Sequence, residues 1–215
     1  MATKTSRPVS RQADLLGRAG AAALIIARIG TVFLWIAAAA TAIVLVAFIV
    51  ASGALTAGYN RLDLSVGGVF NISLTGQVLD YSIFLQPYDD APINTVAVIA
   101  TGLARTAVYA LLALAFGQIA ALCDELKTWV EHADPASPSP FRAVIAERLS
   151  RMGWYLIAAP VVALVNYIVC SIAGASGSAS LWMSGLLVMI GIMLLLLARI
   201  FDYGMSLERE VDGLL

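Results

Sequence analysis

Few residues in this chain could do chemistry, and they are scattered. His132 is the single histidine, and Cys123 and Cys170 are the two cysteines. That is too few for a transition-metal cluster or a disulfide framework. No Walker loop, HExxH or GxSxG occurs, and no Asp or Glu pair falls inside an apolar run, so the usual signatures of nucleotide, zinc-protease and serine-hydrolase chemistry are missing. No catalytic, metal-ligating or cofactor-binding residue is assigned, and the chain is expected not to be an enzyme. What remains is three polar side chains set among apolar neighbours: Arg105, Gln118 and Asn166. At membrane depth such groups hydrogen-bond another helix, line a cavity or reach for the interface. A mid-membrane Asn166 is expected to bond a neighbouring helix. Arg105 is expected at the outer interface if the second span begins near Leu103, and well inside if it begins near Val96. Cys170 reads as a small apolar residue, and Cys123, at the inner interface, as an acylation candidate.

The elements that must hold these side chains follow from composition. Of 215 residues, 60% are hydrophobic and 13% charged, against about 25% charged in soluble domains. That balance excludes a disordered chain and an ordinary soluble enzyme. A net charge of −1 gives no field to attract nucleic acid directly. Four apolar runs, at 30–52, 103–123, 153–173 and 181–201, each reach the ~20 residues that cross ~30 Å of hydrocarbon as a helix. The first run is too long for a signal-peptide core. Arg28 and Arg199 lie near the ends of their spans and are expected to snorkel to headgroups.

Lysine and arginine counts set the orientation. Lys4, Arg7, Arg11, Arg18 and Arg28 precede the first span, and Lys127, Arg142, Arg148 and Arg151 lie between the second and third. Segment 53–94 holds only Arg61. Basic residues collect on the cytoplasmic side, so both termini are expected inside. The fold expected is an all-α membrane domain of four transmembrane helices, N-in and C-in, with an external β-hairpin-like insertion.

Within the external segment 53–94, Leu62, Leu64 and Val66 alternate with polar residues, as do Phe70, Ile72 and Leu74, with Gly67-Gly68 between. This predicts a β-hairpin, packed on the helix ends or on another copy. Asp80, Asp89 and Asp90 could bind Ca²⁺, but without EF-hand spacing they read as solvated loop charges. Asn71-Ile72-Ser73 is a formal glycosylation triplet.

The cytoplasmic loop 124–152 continues the second span as helix. It breaks at the prolines of 135–140 and restarts with Ser139 as N-cap and Pro140 at the first position. Phe141, Val144, Ile145, Leu149 and Met152 then mark one apolar face. This amphipathic helix is expected either to lie in the interface or to pack under the bundle. The C-terminal helix, 202–215, extends the fourth span. Ile200, Gly204, Leu207 and Val211 form a stripe beside acidic Asp202, Glu208, Glu210 and Asp212. Phe141, Leu149, Leu207, Glu208, Glu210, Val211 and Asp212 are the candidate docking residues for a cytoplasmic partner. Ala113, Gly117 and Ala121 make a small-residue stripe that could bring helices together within or between chains, so a homo-oligomer is possible.

The motifs of the second half resemble a known family. Ser139-Pro-Phe141, Glu147-Arg-Leu149, Arg151-Met-Gly-Trp154, then Leu197-Ala-Arg199-Ile-Phe201 with Gly204, Leu207 and Glu208-Arg-Glu210-Val-Asp212 resemble the DUF2975 family of uncharacterised four-helix bacterial membrane proteins. The ending VDGLL departs from that family's D-x-T-V/I. The resemblance implies no catalytic residues or cofactor. It does imply a regulatory setting, because family members are often encoded beside small helix-turn-helix regulators. The leading expectation is therefore a non-enzymatic regulatory or sensory membrane protein with a cytoplasmic partner of that type. Two alternatives stand beside it. One is a small-molecule or lipid transporter or permease-like protein lined by Arg105, Gln118 and Asn166. The other is a structural component that oligomerises through Ala113, Gly117 and Ala121.

Overall fold

The computed structural model describes residues 8–51, 55–58, 60–66, 68, 70–86, 92–131 and 143–212. Four long helices carry the mass: α1 (Pro8–Val50), α2 (Thr95–Glu131), α3 (Ala143–Ile172) and α4 (Trp182–Asp212). Each contains a stretch long and apolar enough to cross a membrane, and the chain is a mostly helical, multi-pass membrane protein. Between α1 and α2 run β1 (Leu55–Gly58), β2 (Arg61–Val66), β3 (Phe70–Thr75), β4 (Gln77–Val78) and β5 (Tyr81–Ile83). Between α3 and α4 lies β6 (Gly177–Ala179). The strands gather at one end of the bundle, here the β end. The other is the charged end.

The helices extend past their expected ends. α1 begins at Pro8, with proline at a first-turn position where its missing N–H is harmless. Arg28 lies within this helix and does not end it. The amphipathic segment does not turn before the third span. Residues 143–172 are one helix, and Ile145, Leu149 and Met152 pack with Ala115 of α2 and Ala198 of α4. Burying that face inside the chain is what keeps the helix straight through 152, so the interface-lying alternative is not what forms. Pro160 sits within α3 without breaking it.

Neighbouring helices pack in chain order, α1 on α2, α2 on α3 and α3 on α4, and among the described residues α1 makes no extended contact with α4, so these helices are arranged as an open row. The α3–α4 seam is closest at Gly153 and Gly191, where a Cβ on either residue would stand 2.9 Å from the other's carbonyl oxygen. Two small residues facing each other let the backbones approach.

The predicted hairpin forms. β2 and β3 are antiparallel, with Leu62 opposite Leu74, Leu64 opposite Ile72 and Val66 opposite Phe70, and β1 adds a third strand. Leu62 and Leu74 are buried against Val44 of α1, Ala97 and Val98 of α2 and Cys170 of α3, so the sheet packs on this chain's own helices. A second sheet, β4-β5-β6, was not expected. It seats Val78 and Tyr81 against Ala104 and Val108 of α2 and Ala159 and Ala163 of α3. Gly76 joins the two sheets. Its N–H donates to the Asn60 carbonyl (2.9 Å) and its carbonyl accepts from Ile83 (2.7 Å). A Cβ there would lie 1.8 Å from the Ile83 carbonyl oxygen, so only glycine fits.

Candidate functional site

Arg105 lies where α2 meets the strands. Asn94 sets the helix start: its Oδ1 accepts from the Ala97 N–H (3.1 Å) and its Nδ2 donates to the Ala173 carbonyl (3.0 Å). A capping amide of this kind satisfies one of the free N–H groups of the first turn. The helix therefore begins eight residues before Leu103, and Arg105 stands about 15 Å along it by the helical rise. Those first turns are clad in protein, since Ala97, Val98 and Thr101 are fully buried. Arg105 Nε and Nη2 donate to the Tyr109 hydroxyl (3.1 and 2.9 Å), and Nη1 donates to the Thr75 carbonyl (3.1 Å) and the Thr75 Oγ1. The guanidinium carbon is 5.4 Å from the Tyr109 ring centre. Among the described residues, Arg105 has no carboxylate partner.

Asn166 is buried on α3. Its Oδ1 accepts from the Cys170 thiol (3.5 Å), which in turn lies 3.8 Å from the Thr101 Oγ1 of α2. Asn166 therefore bonds within its own helix rather than to another helix as expected of a mid-span Asn; of these contacts only Thr101–Cys170 crosses from α3 to α2. Among the described residues, the Asn166 Nδ2 has no partner. Gln118, half-buried, lies thirteen residues beyond Arg105, about 20 Å down the same helix. The three candidate polar residues share no hydrogen bond, and they sit on separate nodes. Among the described residues, no group of His, Cys, Asp and Glu could hold a metal ion.

Asp80 is not a solvated loop charge. Its carboxylate accepts from the Ser184 N–H in the first turn of α4, and its carbonyl accepts from the Ser180 N–H (2.9 Å). A carboxylate at a helix N-terminus satisfies free N–H groups and meets the positive end of the helix dipole. The turn that presents it is left-handed at Leu79 (φ 51°), a conformation costing a non-glycine residue about 1–2 kcal/mol. The only sequence signal for this cap is negative: the first turn of α4 contains no acidic residue of its own.

At the charged end, Arg28 pairs with Asp124 (2.8 Å) and Arg148 with Glu125 (3.0 Å), linking α1 to α2 and α2 to α3; Arg151 pairs with Glu147 within α3. Arg28 thus has a protein partner rather than headgroups alone, while Arg199 is exposed. The candidate docking residues divide. Leu149 is 8% exposed and is used inside the bundle. Leu207 and Glu210 are exposed on α4. Phe141, and the side chains of Glu208, Val211 and Asp212, lie outside the described residues. The small-residue stripe divides too: Ala113 is fully buried inside the chain, whereas a Cβ at Gly117 would meet nothing within 4 Å. Comparison of the chain with family models, with curated proteins and with solved structures gave no match.

Proposed function

We propose that this is a non-enzymatic, regulatory protein of the bacterial inner membrane, with both ends cytoplasmic, acting through its charged end on a cytoplasmic protein. The observation that carries the reading is the far end of α4. The helix runs unbroken to Asp212, and Ile200, Tyr203 and Leu207 stay exposed along it beside acidic Asp202 and Glu210. An amphipathic helix face of this kind is a common docking element. The resemblance to DUF2975 supports a partner of helix-turn-helix type, and the basic residues around Arg28 and Arg148 support the orientation. Cysteine labelling in oriented vesicles tests the topology: Ser206→Cys should react only from the cytoplasmic side. Crosslinking followed by affinity capture tests the docking. Charge reversal at Glu208, Glu210 and Asp212 should release the partner, and a partner that stays bound overturns the assignment to this face.

The transporter reading draws on one observation, the unpartnered Nδ2 of buried Asn166. A buried donor left unmade costs about 1–3 kcal/mol and is a reasonable substrate contact. Substrate uptake lost in Asn166→Val, with the fold retained, would promote it.

A further inference from the structure

We propose that a second copy of this chain packs on the first, with α1 of one copy against α4 of the other. The open row leaves α1 and α4 as its two edges, and among the described residues they make no extended contact with each other. Both edges run on past their neighbours at the charged end. Arg28 of α1 is level with Asp124 of α2, its ion-pair partner. α2 ends seven residues later at Glu131, level with Ala21 of the antiparallel α1, whereas α1 begins at Pro8. The turns before Ala21 therefore extend about 20 Å beyond the end of α2 by the helical rise. On the other edge, Gly153 of α3 faces Gly191 of α4. Ala143, the first residue of α3, is then level with Phe201 of α4, and α4 continues to Asp212, about 16 Å further. Helical lengths this short are marginal in water without a packing partner.

The two edges match in charge and in surface. Residues 1–20 hold four bases, Lys4, Arg7, Arg11 and Arg18, against one acid, Asp14, a net +3. Residues 202–212 hold four acids, Asp202, Glu208, Glu210 and Asp212, against one base, Arg209, a net −3. Opposite charges thus stand at one end of the molecule, on edges that a single row does not bring together. Complementary charge of this kind orients an encounter and fixes its register. Closer to the middle of the bundle the surfaces are apolar. A groove of about 410 Å³ on α1 is lined by Arg28, Ile29, Val32, Phe33 and Ile36. Arg28 is level with Asp124, and the adjoining Glu125 bonds Arg148, which Gly153–Gly191 sets level with Leu196 of α4. The groove is therefore level with residues 188–195, where Met189, Ile192 and Met193 are exposed. Unbranched methionine fills irregular grooves of this sort. A lipid chain fills the groove too, but answers neither charge. A two-fold axis along the membrane normal makes the α1–α4 contact twice and closes the two rows into a ring of eight helices. The second copy takes the α4 face offered above to a cytoplasmic protein, so the two exclude one another there, and the contact does not depend on that protein.

Cross-linking of the purified full-length chain in liposomes tests the contact with no other protein present. Cys123→Ser leaves only the buried Cys170. In that background a Val32→Cys chain is reconstituted together with a differently tagged Ile192→Cys chain, two exposed positions at one level. A short bis-thiol reagent should join the two tags in preference to two Val32→Cys chains. The protein mass in mild detergent should be twice 22.6 kDa. Reversing Arg11 and Arg18 to glutamate should weaken association about tenfold, the size expected of a few exposed charge pairs. Reversing Asp202 and Glu210 to lysine in the same chain should restore it, which a variant that had merely lost its fold would not do. The proposal is overturned if the native chain is monomeric, if two Val32→Cys chains join as readily as the mixed pair, or if the fourfold charge swap associates as weakly as the first reversal. Each of these results leaves the cytoplasmic docking standing, because its readout is capture of another protein.

Discussion

At the β end, polar contacts join elements far apart in the chain and each is at least partly buried: Asp80 to the start of α4, Asn94 to the end of α3, Arg105 to the end of β3. At the charged end, the cross-helix contacts are ion pairs, and that of Arg28 with Asp124 leaves the two side chains 63% and 48% exposed. Burial makes the first kind of contact directional, because a donor removed from water must find its one acceptor or lose about 1–3 kcal/mol. Exposure makes the second kind replaceable by water, so exposed pairs contribute roughly 0–1 kcal/mol. The β end is thus locked by shape and by specific polar partners, while at the charged end the Arg28–Asp124 pair can adjust and the Arg148–Glu125 pair, about 30% exposed, is held more closely.

The comparison is broken most severely at Gly76. Any side chain there drives a Cβ into the Ile83 carbonyl, so Gly76→Ala should separate the two sheets. A loss of about 3 kcal/mol or more is expected, beyond the usual 1–3 for overpacking because backbone is the obstacle. Thermal melting in detergent should show it. Gly117→Ala, toward the charged end, meets nothing within 4 Å and should be neutral or slightly stabilising, since alanine favours the helix over glycine by up to ~1 kcal/mol. Equal losses from the two variants would remove the distinction between the two ends.

Asp80 offers a smaller and more local test. Asp80→Ala should cost about 1 kcal/mol, the usual effect of deleting a helix cap, and hydrogen exchange should quicken at Ser184 and its neighbours first. Asp80→Asn keeps an acceptor and should fall between. Exchange at Phe201–Leu207, on the same helix, should not change. If it changed equally, α4 would be transmitting strain between the ends, and the division argued above would fail.

How much of this was legible in the sequence depends on where each partner sits. The four spans were legible because ~20 consecutive apolar residues mark a membrane helix, and the β2–β3 hairpin because alternation and Gly67-Gly68 are local signals. Helix ends were not. The segment before Leu103 is weakly apolar because sheets, rather than lipid, cover it, and hydropathy does not distinguish that from a loop. β6 is three exposed residues whose strand character comes from pairing with β5. Asp80 caps a helix that begins about a hundred residues later, and nothing local announces it. Of the candidate polar residues, Asn166 was legible as a polar group at span depth, but not its partner, which lies on its own helix. Arg105 was legible as important, but not its partners, which depend on how β3 ends over α2.

The smallest expected effect is the one that best separates the two kinds of contact. Arg28→Gln should reduce stability by no more than ~0.5 kcal/mol, because its pair with Asp124 is exposed and held by Coulomb attraction in high dielectric. The reduction should vanish near 1 M salt, where the screening length falls to ~3 Å. A double-mutant cycle with Asp124→Asn should give a coupling that shrinks with salt in the same way. Arg105→Gln, measured in zwitterionic detergent without added anion, should lose more, because its three acceptors are neutral and half-buried. Its loss should hold nearly constant with salt, since no opposite charge is there to be screened. If the two arginines responded to salt alike, the contrast between a locked end and an adjustable end would rest on geometry alone and not on the kind of force at each.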